Sequence, residues 1–175
     1  MPELGAHFRF SSHEPVLTMS TLSPTALPID GSEFRVGVVA ARFNAPYVEG
    51  LLAGVLETLR KAGVPESAVR VERVPGSNEL PVIAKYMAES GDFDVVVALG
   101  VVIAGGTRHY EMVSDSANYG LQEVAITSGL PVVSGLIVAD AEEQARERCI
   151  GSIPKGVEFG QCALEMAQLS RKYRK

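Results

Sequence analysis

The sequence predicts an α/β fold: a four-stranded parallel sheet flanked by helices on both faces. Three observations carry that expectation. From residue 34 onward, short apolar runs alternate four times with longer amphipathic segments, which is the pattern of successive β-α units. One run, "FDVVVALGVVI" (93–103), is apolar almost throughout, as a strand covered on both faces must be. The residues with least structural reason to be there, "RFN" (42–44), "PGSNELP" (75–81) and "GGTRH" (105–109), each follow a strand. In open parallel sheets that rim is where ligands bind.

Taken in order, "FRVGVVAARF" (34–43) reads as the first buried strand. Beyond Pro46, residues Leu51, Leu52, Val55, Leu56 and Leu59 share one helical face, and Gly63 closes that helix as a C-cap. "AVRVERV" (68–74) alternates as a strand should, and "NELPVIAKYMAES" (78–90) reads as a helix closed by Gly91, with Pro81 tolerable only in its first turn. The apolar run 93–103 is the third strand, and a long helix follows over 108–128, ending at Gly129. "PVVSGLIVAD" (131–140) is the fourth strand. Asp140 with Glu143 forms a capping box for the next helix. The last helix, 156–172, carries Arg171, Lys172, Arg174 and Lys175 at or beyond its C-terminus, where the dipole favours cations.

Composition bounds the function. At 175 residues, 46% hydrophobic and without Trp, the chain suits one domain with a substantial core. A formal charge of -5 argues against a nucleic-acid or anionic-membrane surface. No apolar stretch reaches the length of a membrane span. Cys149 and Cys162 show no metal-ligand spacing, so reduced thiols in a cytoplasmic protein are expected and no metal site is. The first 33 residues differ from the rest: "SSHEPVLTMSTLSPTALPIDGS" (11–32) is rich in Ser, Thr and Pro without sustained period, a flexible or extended arm ahead of a domain over 34–175. This arm lacks the features of a secretory signal or transit peptide, and Met19 is an alternative start to Met1. His7 and His13 lie in it, leaving His109 as the imidazole of the domain.

Each rim residue admits two readings. In "GGTRH" the glycines allow backbone N–H groups to approach an anion at a helix N-terminus, but Gly-Gly-Thr also makes a routine turn. Thr107 is either an N-cap or a phosphate ligand. His109 lies in the first helical turn, where the dipole favours the neutral imidazole; it is a proton shuttle beside a bound phosphate, or a surface histidine. Glu79 either complements a helix dipole or accepts hydrogen bonds from a polyol, and Phe43 is core or a platform for a planar ring. Arg148, about two turns into its helix, points away from its own rim; it serves a neighbouring subunit's site or is a solvated arginine.

Five segments in order, "ARFN", "VPGSNELP", "ALGVVIAGGTRHYEMV", "PVVSGLIVADAEEQARER" and "KGVEFGQCALEMAQL", resemble lumazine synthase from about residue 34 to the C-terminus. The resemblance implies a three-layer, flavodoxin-like sandwich assembling as a pentamer or a larger shell of pentamers, with active sites between neighbours. It implies that 5-amino-6-(D-ribitylamino)uracil condenses with the ketone of 3,4-dihydroxy-2-butanone 4-phosphate to an imine, followed by loss of phosphate and ring closure to 6,7-dimethyl-8-ribityllumazine. No cofactor is implied. The resemblance also implies riboflavin synthase as a further partner. By position, Phe43 matches the aromatic stacked on the pyrimidine, and Ser77, Asn78 and Glu79 the segment holding the ribityl chain. Val101, Val102 and Ile103 match the backbone that reads the pyrimidine edge, Gly106 and Thr107 the phosphate loop, and His109 the proton-transfer histidine. Ser134 matches a contact from the adjacent subunit, and Arg148 and Lys155 the cations on the phosphate.

There are departures. Asn78 stands where an aromatic or aliphatic residue is frequent, Ala104 where arginine is common, and Gly106 where an acidic residue or alanine is common. Ser134 is small where some members place a ring. The loop "CIGSIP" (149–154) is short, in a region associated with assembly state. Rival readings are a non-catalytic flavin- or lumazine-binding or shell-forming homologue, and an archaeal-type riboflavin synthase that would consume lumazine. A response-regulator-like domain would need clustered acidic residues after strand one, and "AARFN" has none. Residues near 28–34 are expected to add a strand to a neighbour's sheet, with roughly the first twenty disordered.

Overall fold

The computed structural model describes residues 24–153 and 155–174. Four parallel strands, β1 (Val36–Ala41), β2 (Val69–Val74), β3 (Val95–Ile103) and β4 (Val132–Ala139), lie in the order β2-β1-β3-β4. Helices α1 (Ala45–Lys61), α2 (Leu80–Glu89), α3 (His109–Ser128), α4 (Glu142–Cys149) and α5 (Lys155–Tyr173) connect and follow them.

The three layers follow from the side-chain alternation of the strands. Val36, Val38 and Ala40 of β1 and Val95, Val97, Leu99 and Val101 of β3 face one core, with Val48, Leu51, Val55 and Leu59 of α1 and Ala163, Leu164 and Ala167 of α5. Val39 and Ala41 of β1 and Val96 and Ala98 of β3 face the other, with Leu80, Ala84 and Met87 of α2 and Leu121 and Val124 of α3. β1 is buried along its whole length and β3 at all but its last residue, which explains why both read as unbroken apolar runs rather than alternating ones.

On the first face α1 and α5 touch backbone to backbone. A methyl placed on Gly54 would lie 2.9 Å from the Gly156 carbonyl carbon, and one on Gly156 would collide with the Leu51 carbonyl oxygen. Cys149 ends α4 inside this core; burial pushes its thiol up to about 11, so it stays protonated at neutral pH. Both described cysteines are free.

The expected elements are all present, with edges shifted by a few residues. The helix expected over 78–90 begins as a 3-10 turn, Ser77–Glu79, and becomes α-helical at Leu80, with Pro81 in its first turn as its missing N–H requires. Gly63 and Gly129 follow their helices at φ 85 and 68, the left-handed conformation that glycine adopts without penalty. One expectation is corrected: Asp140 and Glu143 form no capping box. The helix starts at Glu142 with Ala141 as its N-cap. The Asp140 N–H donates instead to Gln144 Oε1 (2.9 Å), while Glu143 pairs with Arg146 one turn on (2.6 Å).

Most of the expected arm, residues 1–23, lies outside the described residues. Residues 24–30 adopt neither helix nor strand. From Gly31 the chain is tied to its own domain: the Gly31 N–H donates to Ala62 O (2.7 Å), and Arg171 pairs with both Glu33 and Asp94 (3.0 Å each) while its guanidinium lies over the Phe34 ring. Among the described residues no helix is long and apolar enough to cross a membrane.

Candidate active site

In the order β2-β1-β3-β4 the connections leave β1 and β3 in opposite directions, which opens a crevice between the carboxyl ends of those two strands. A cavity of about 370 Å³ occupies that crevice. Phe43 and Asn44 line it from the end of β1, and Val101, Val102, Ile103 and Gly105 from the end of β3. Gly76, Ser77, Asn78 and Glu79 come from the loop after β2, and Thr107, His109, Tyr110 and Val113 from the start of α3.

Each wall has a local cause. The Arg42 N–H continues the β1–β2 ladder to Val74 O (2.8 Å), and the Phe43 N–H turns to the same side, to Pro75 O (3.0 Å), so the alternation ends and the ring stands out from the rim. It is 73% exposed, which removes the core reading. Ser77 is buried because β3 has glycine opposite it; a methyl on Gly100 would lie 2.6 Å from Ser77 Oγ and 2.7 Å from Leu136 Cδ1. Glu79 holds the loop by accepting the Gly76 N–H at Oε2 (2.8 Å). β3 outruns its neighbour: pairing with β1 ends at Ala40–Leu99, whereas pairing with β4 continues to Ile103–Ala139. The last residues of β3 therefore present a strand edge without a strand partner on the side of the crevice.

The loop 104–108 carries no structural demand for its glycines. A methyl at Gly105 or Gly106 would meet no atom within 4 Å, and neither residue has positive φ. The following helix starts without a side-chain cap from its N-cap residue, Arg108. The Thr107 hydroxyl is 3.4 Å from the His109 N–H, a long bond that leaves the helix N-terminus open to an incoming acceptor. Burial raises the Tyr110 phenol above its ordinary value, so it is a neutral donor at physiological pH.

The structure thus gathers Phe43, Ser77, Asn78, Glu79, Val101, Val102, Ile103, Thr107 and His109 at one cavity. Gly106 lies in the loop between two lining residues but does not itself line it. Ser134, Arg148 and Lys155 lie elsewhere in the chain. Ser134 Oγ is bonded to Asn118 Oδ1 (2.7 Å), Arg148 Nη1 donates to Gln144 O (3.1 Å), and Lys155 pairs with Glu158 (2.6 Å). α4, which carries Arg148, is held at its first turn to α1 by a bond from the Tyr47 hydroxyl to Glu142 Oε1 (2.5 Å), which raises the Tyr47 phenol above its ordinary value. Among the described residues no Lys or Arg lines the cavity; Arg42 and Arg108 each adjoin a lining residue in sequence and are exposed, and Arg108 pairs with Glu111 (2.9 Å).

Sequence reasoning missed Asn44, Tyr110 and Val113. For the last two a signal existed, since His109, Tyr110 and Val113 share one face of the first turns of α3. For Asn44 it lay in the residue type, because asparagine tolerates the left-handed backbone that a sharp strand-to-helix turn demands.

A small-molecule cavity at the switch point of a doubly wound parallel sheet, flanked by a helix N-terminus, defines the class: a flavodoxin-like α/β sandwich. The family described as 6,7-dimethyl-8-ribityllumazine synthase matches residues 33–171, and the chain belongs to that family. The protein of that name from Thermococcus gammatolerans is 44% identical over 142 residues, 81% of this chain and 91% of the relative. That from Kineococcus radiotolerans is 50% identical over 122 residues, 70% and 74% of the two chains, and that from an Azoarcus species 38% over 141 residues, 81% and 88%.

Proposed function

We propose that this protein makes 6,7-dimethyl-8-ribityllumazine from 5-amino-6-(D-ribitylamino)uracil and 3,4-dihydroxy-2-butanone 4-phosphate, a step of riboflavin biosynthesis. The observation that carries this reading is the convergence of residues from three of the five family-like segments on one crevice cavity. The 5-amino nitrogen attacks the ketone carbon and water leaves, giving an imine. Removal of the proton at the hydroxyl-bearing carbon then expels inorganic phosphate and leaves an enol, which tautomerises to a ketone. Attack of the ribitylamino nitrogen on this new carbonyl closes the ring with loss of a second water. The protein's tasks are to hold two reactants together, to move protons and to bind a departing dianion.

The residues divide those tasks. The exposed face of Phe43 stacks on the pyrimidine, and Ser77, Asn78 and Glu79 receive the ribityl hydroxyls. The unpaired β3 edge at Val101–Ile103 reads the pyrimidine's donors and acceptors. Gly106, Thr107 and the open N-terminus of α3 take the phosphate, where Gly105 and Gly106 leave clear space for it. His109 moves the proton.

A phosphate dianion in a cavity without a cation among its lining residues needs charge from elsewhere. Arg148, Lys155 and Ser134 therefore act on the cavity of an adjacent subunit, in a closed ring of identical head-to-tail interfaces. We take the ring to be a pentamer. Met112, Tyr119 and Ile126, exposed at 69, 75 and 79%, recur every seven residues along α3, the spacing of a helix–helix seam. Of the segment 28–34 expected to add a strand to a neighbour, residues 31–34 are held in their own domain. The chain ahead of Gly31 supplies that strand, and β2, at the sheet's edge, is open to receive one. A cytoplasmic location and hand-over of the product to riboflavin synthase complete the reading, and the two free thiols support the former.

Mixing the purified protein with both substrates and following lumazine absorbance and fluorescence tests the reaction. Product formation well above the rate without protein is the expected result. Tight binding of lumazine or riboflavin without turnover would instead assign a non-catalytic homologue. The arm is tested separately: deletion of residues 1–18 leaves the sedimentation profile unchanged, and collapse to monomers would refute its placement.

A further inference from the structure

Asn44 breaks two local rules at once. It is the only non-glycine residue with positive φ among the described residues (φ 56, ψ 41), a conformation asparagine tolerates better than most but still adopts at a cost. It is also the N-cap residue of α1, where asparagine usually turns its side-chain oxygen onto the free N–H groups of the first turn. Here it makes no side-chain cap. Its carbonyl starts the helix, accepting from the Tyr47 and Val48 N–H groups at 3.1 and 3.2 Å. Its amide Nδ2 instead donates to Val101 O, 57 residues away, at 2.8 Å.

That bond spans the crevice between β1 and β3. Residues of one strand send their N–H and C=O groups alternately to its two sides. Ala104 N–H and Val96 N–H both point to the β4 side, donating to Ala139 O and Pro131 O. The odd-numbered Val101 and Ile103 therefore face the crevice, past the point where β1 stops pairing. Asn44 fills the first acceptor of this open edge, Val101 C=O. It leaves the Val101 N–H and both backbone groups of Ile103 on the crevice side without a strand partner. The same contact pins the residue that follows Phe43.

We infer that Asn44 is a positioning residue: by occupying Val101 C=O it sets which backbone donors and acceptors a bound pyrimidine edge meets, and it fixes the Phe43 platform over them. The inference rests on the proposed reading of the cavity as a pyrimidine site. A strained backbone and a forgone helix cap at one residue are what a functional constraint leaves behind.

The test compares Asn44→Gly, which accepts the left-handed backbone but lacks the amide, with Asn44→Asp, which keeps size and shape but replaces the donor by an acceptor facing a carbonyl. Three readouts are taken on the full-length protein: the KM of each substrate, the Kd for added 6,7-dimethyl-8-ribityllumazine by fluorescence, and the thermal midpoint. The expected result is a rise of about tenfold in the KM for ribitylaminouracil and in the lumazine Kd for Asn44→Gly. The KM for the butanone phosphate and the thermal midpoint stay near wild type, and Asn44→Asp binds worse than Asn44→Gly. A space-filling or purely conformational role predicts the reverse order, Asp close to Asn and better than Gly, and that order would overturn the inference. So would wild-type binding by both variants. If the wild type binds lumazine but forms none, the proposed reaction fails while the Kd series still judges Asn44; if it binds no lumazine, both fall.

Discussion

Arg148→Ala is expected to lower kcat/KM for the butanone phosphate by roughly 10²–10³, the loss typical of removing one strong charge-stabilising donor from an active site. Among the described residues the cavity's lining offers backbone N–H groups, hydroxyls and an imidazole but no Lys or Arg, so on the proposed reading the Arg148 guanidinium supplies most of the missing charge. Arg148→Lys should recover only part of the rate, since a single ammonium cannot make the paired bonds of the planar group. The KM for ribitylaminouracil should change little. A separate experiment asks whether Arg148 and His109 serve the same site from different subunits. Arg148→Ala and His109→Ala proteins, each nearly inactive, are dissociated together in equal amounts and reassembled. With head-to-tail interfaces and random mixing, about a quarter of the sites join an intact His109 to an intact Arg148, so about a quarter of wild-type activity returns. If both residues acted within one chain, no mixed assembly would regain activity. An Arg148→Ala protein with wild-type kinetics would remove the residue from the site altogether.

Gly156→Ala should be the most damaging single methyl in the fold. The added carbon would collide with the Leu51 carbonyl oxygen and sit 3.0 Å from its Cα, both backbone atoms in the middle of α1. No rotamer change relieves that, so α1 and α5 must move apart. Overpacking of this kind costs about 2–3 kcal/mol, which lowers the thermal midpoint of a chain this size by about 5–10 °C. Gly156→Leu should yield no folded protein. Gly105→Ala, with no neighbour within 4 Å of the new carbon and no positive φ, should stay within about 0.5 kcal/mol of wild type. Thermal scans at one fixed protein concentration measure all three, because assembly makes the midpoint depend on concentration. Equal midpoints for Gly156→Ala and wild type would mean that the two helices do not meet through their backbones.

Loss of the α1–α5 contact would also reach the site. α4 enters this face through Ala145 and Cys149, both in the same core as α1 and α5, and its first turn hangs on Tyr47 of α1. Arg148 is therefore aimed by the packing of helices whose other ends lie far from the crevice. A fall in activity of Gly156→Ala at a temperature where it is still folded would register that coupling.

Local periodicity was enough to determine the class of this fold. The unbroken apolar runs at 36–41 and 95–103, the helical face of α1 and the glycines after α1 and α3 are each set by contacts within a few residues, and each is where the pattern places it. The rim was legible for a related reason: "RFN", "PGSNELP" and "GGTRH" follow strand ends, and a parallel sheet puts all its strand ends on one side. Near neighbours competing for one bond were already harder to read. At the start of α4 both Glu143 and Gln144 can reach back, and Arg146 draws Glu143 away.

What lay beyond the sequence depends on how far-separated segments meet. Ser77 is buried because glycine happens to stand at position 100 of the facing strand. Gly156 and Gly160 of α5 matter because Leu51, Gly54 and Thr58 of α1 lie against them at a particular crossing. Asn44 spends its amide on Val101 because β1 stops pairing with β3 two residues short of it. Ser134, Arg148 and Lys155 stand apart from the cavity of their own chain because β4 is the far edge strand, with β3 between it and the crevice, while α4 and α5 pack beside α1. Spacing along a chain encodes which face a residue takes, since that is set by the turn of the backbone beneath it. Which face it meets is set by strand order, register and helix approach, and those exist only once the sheet has closed.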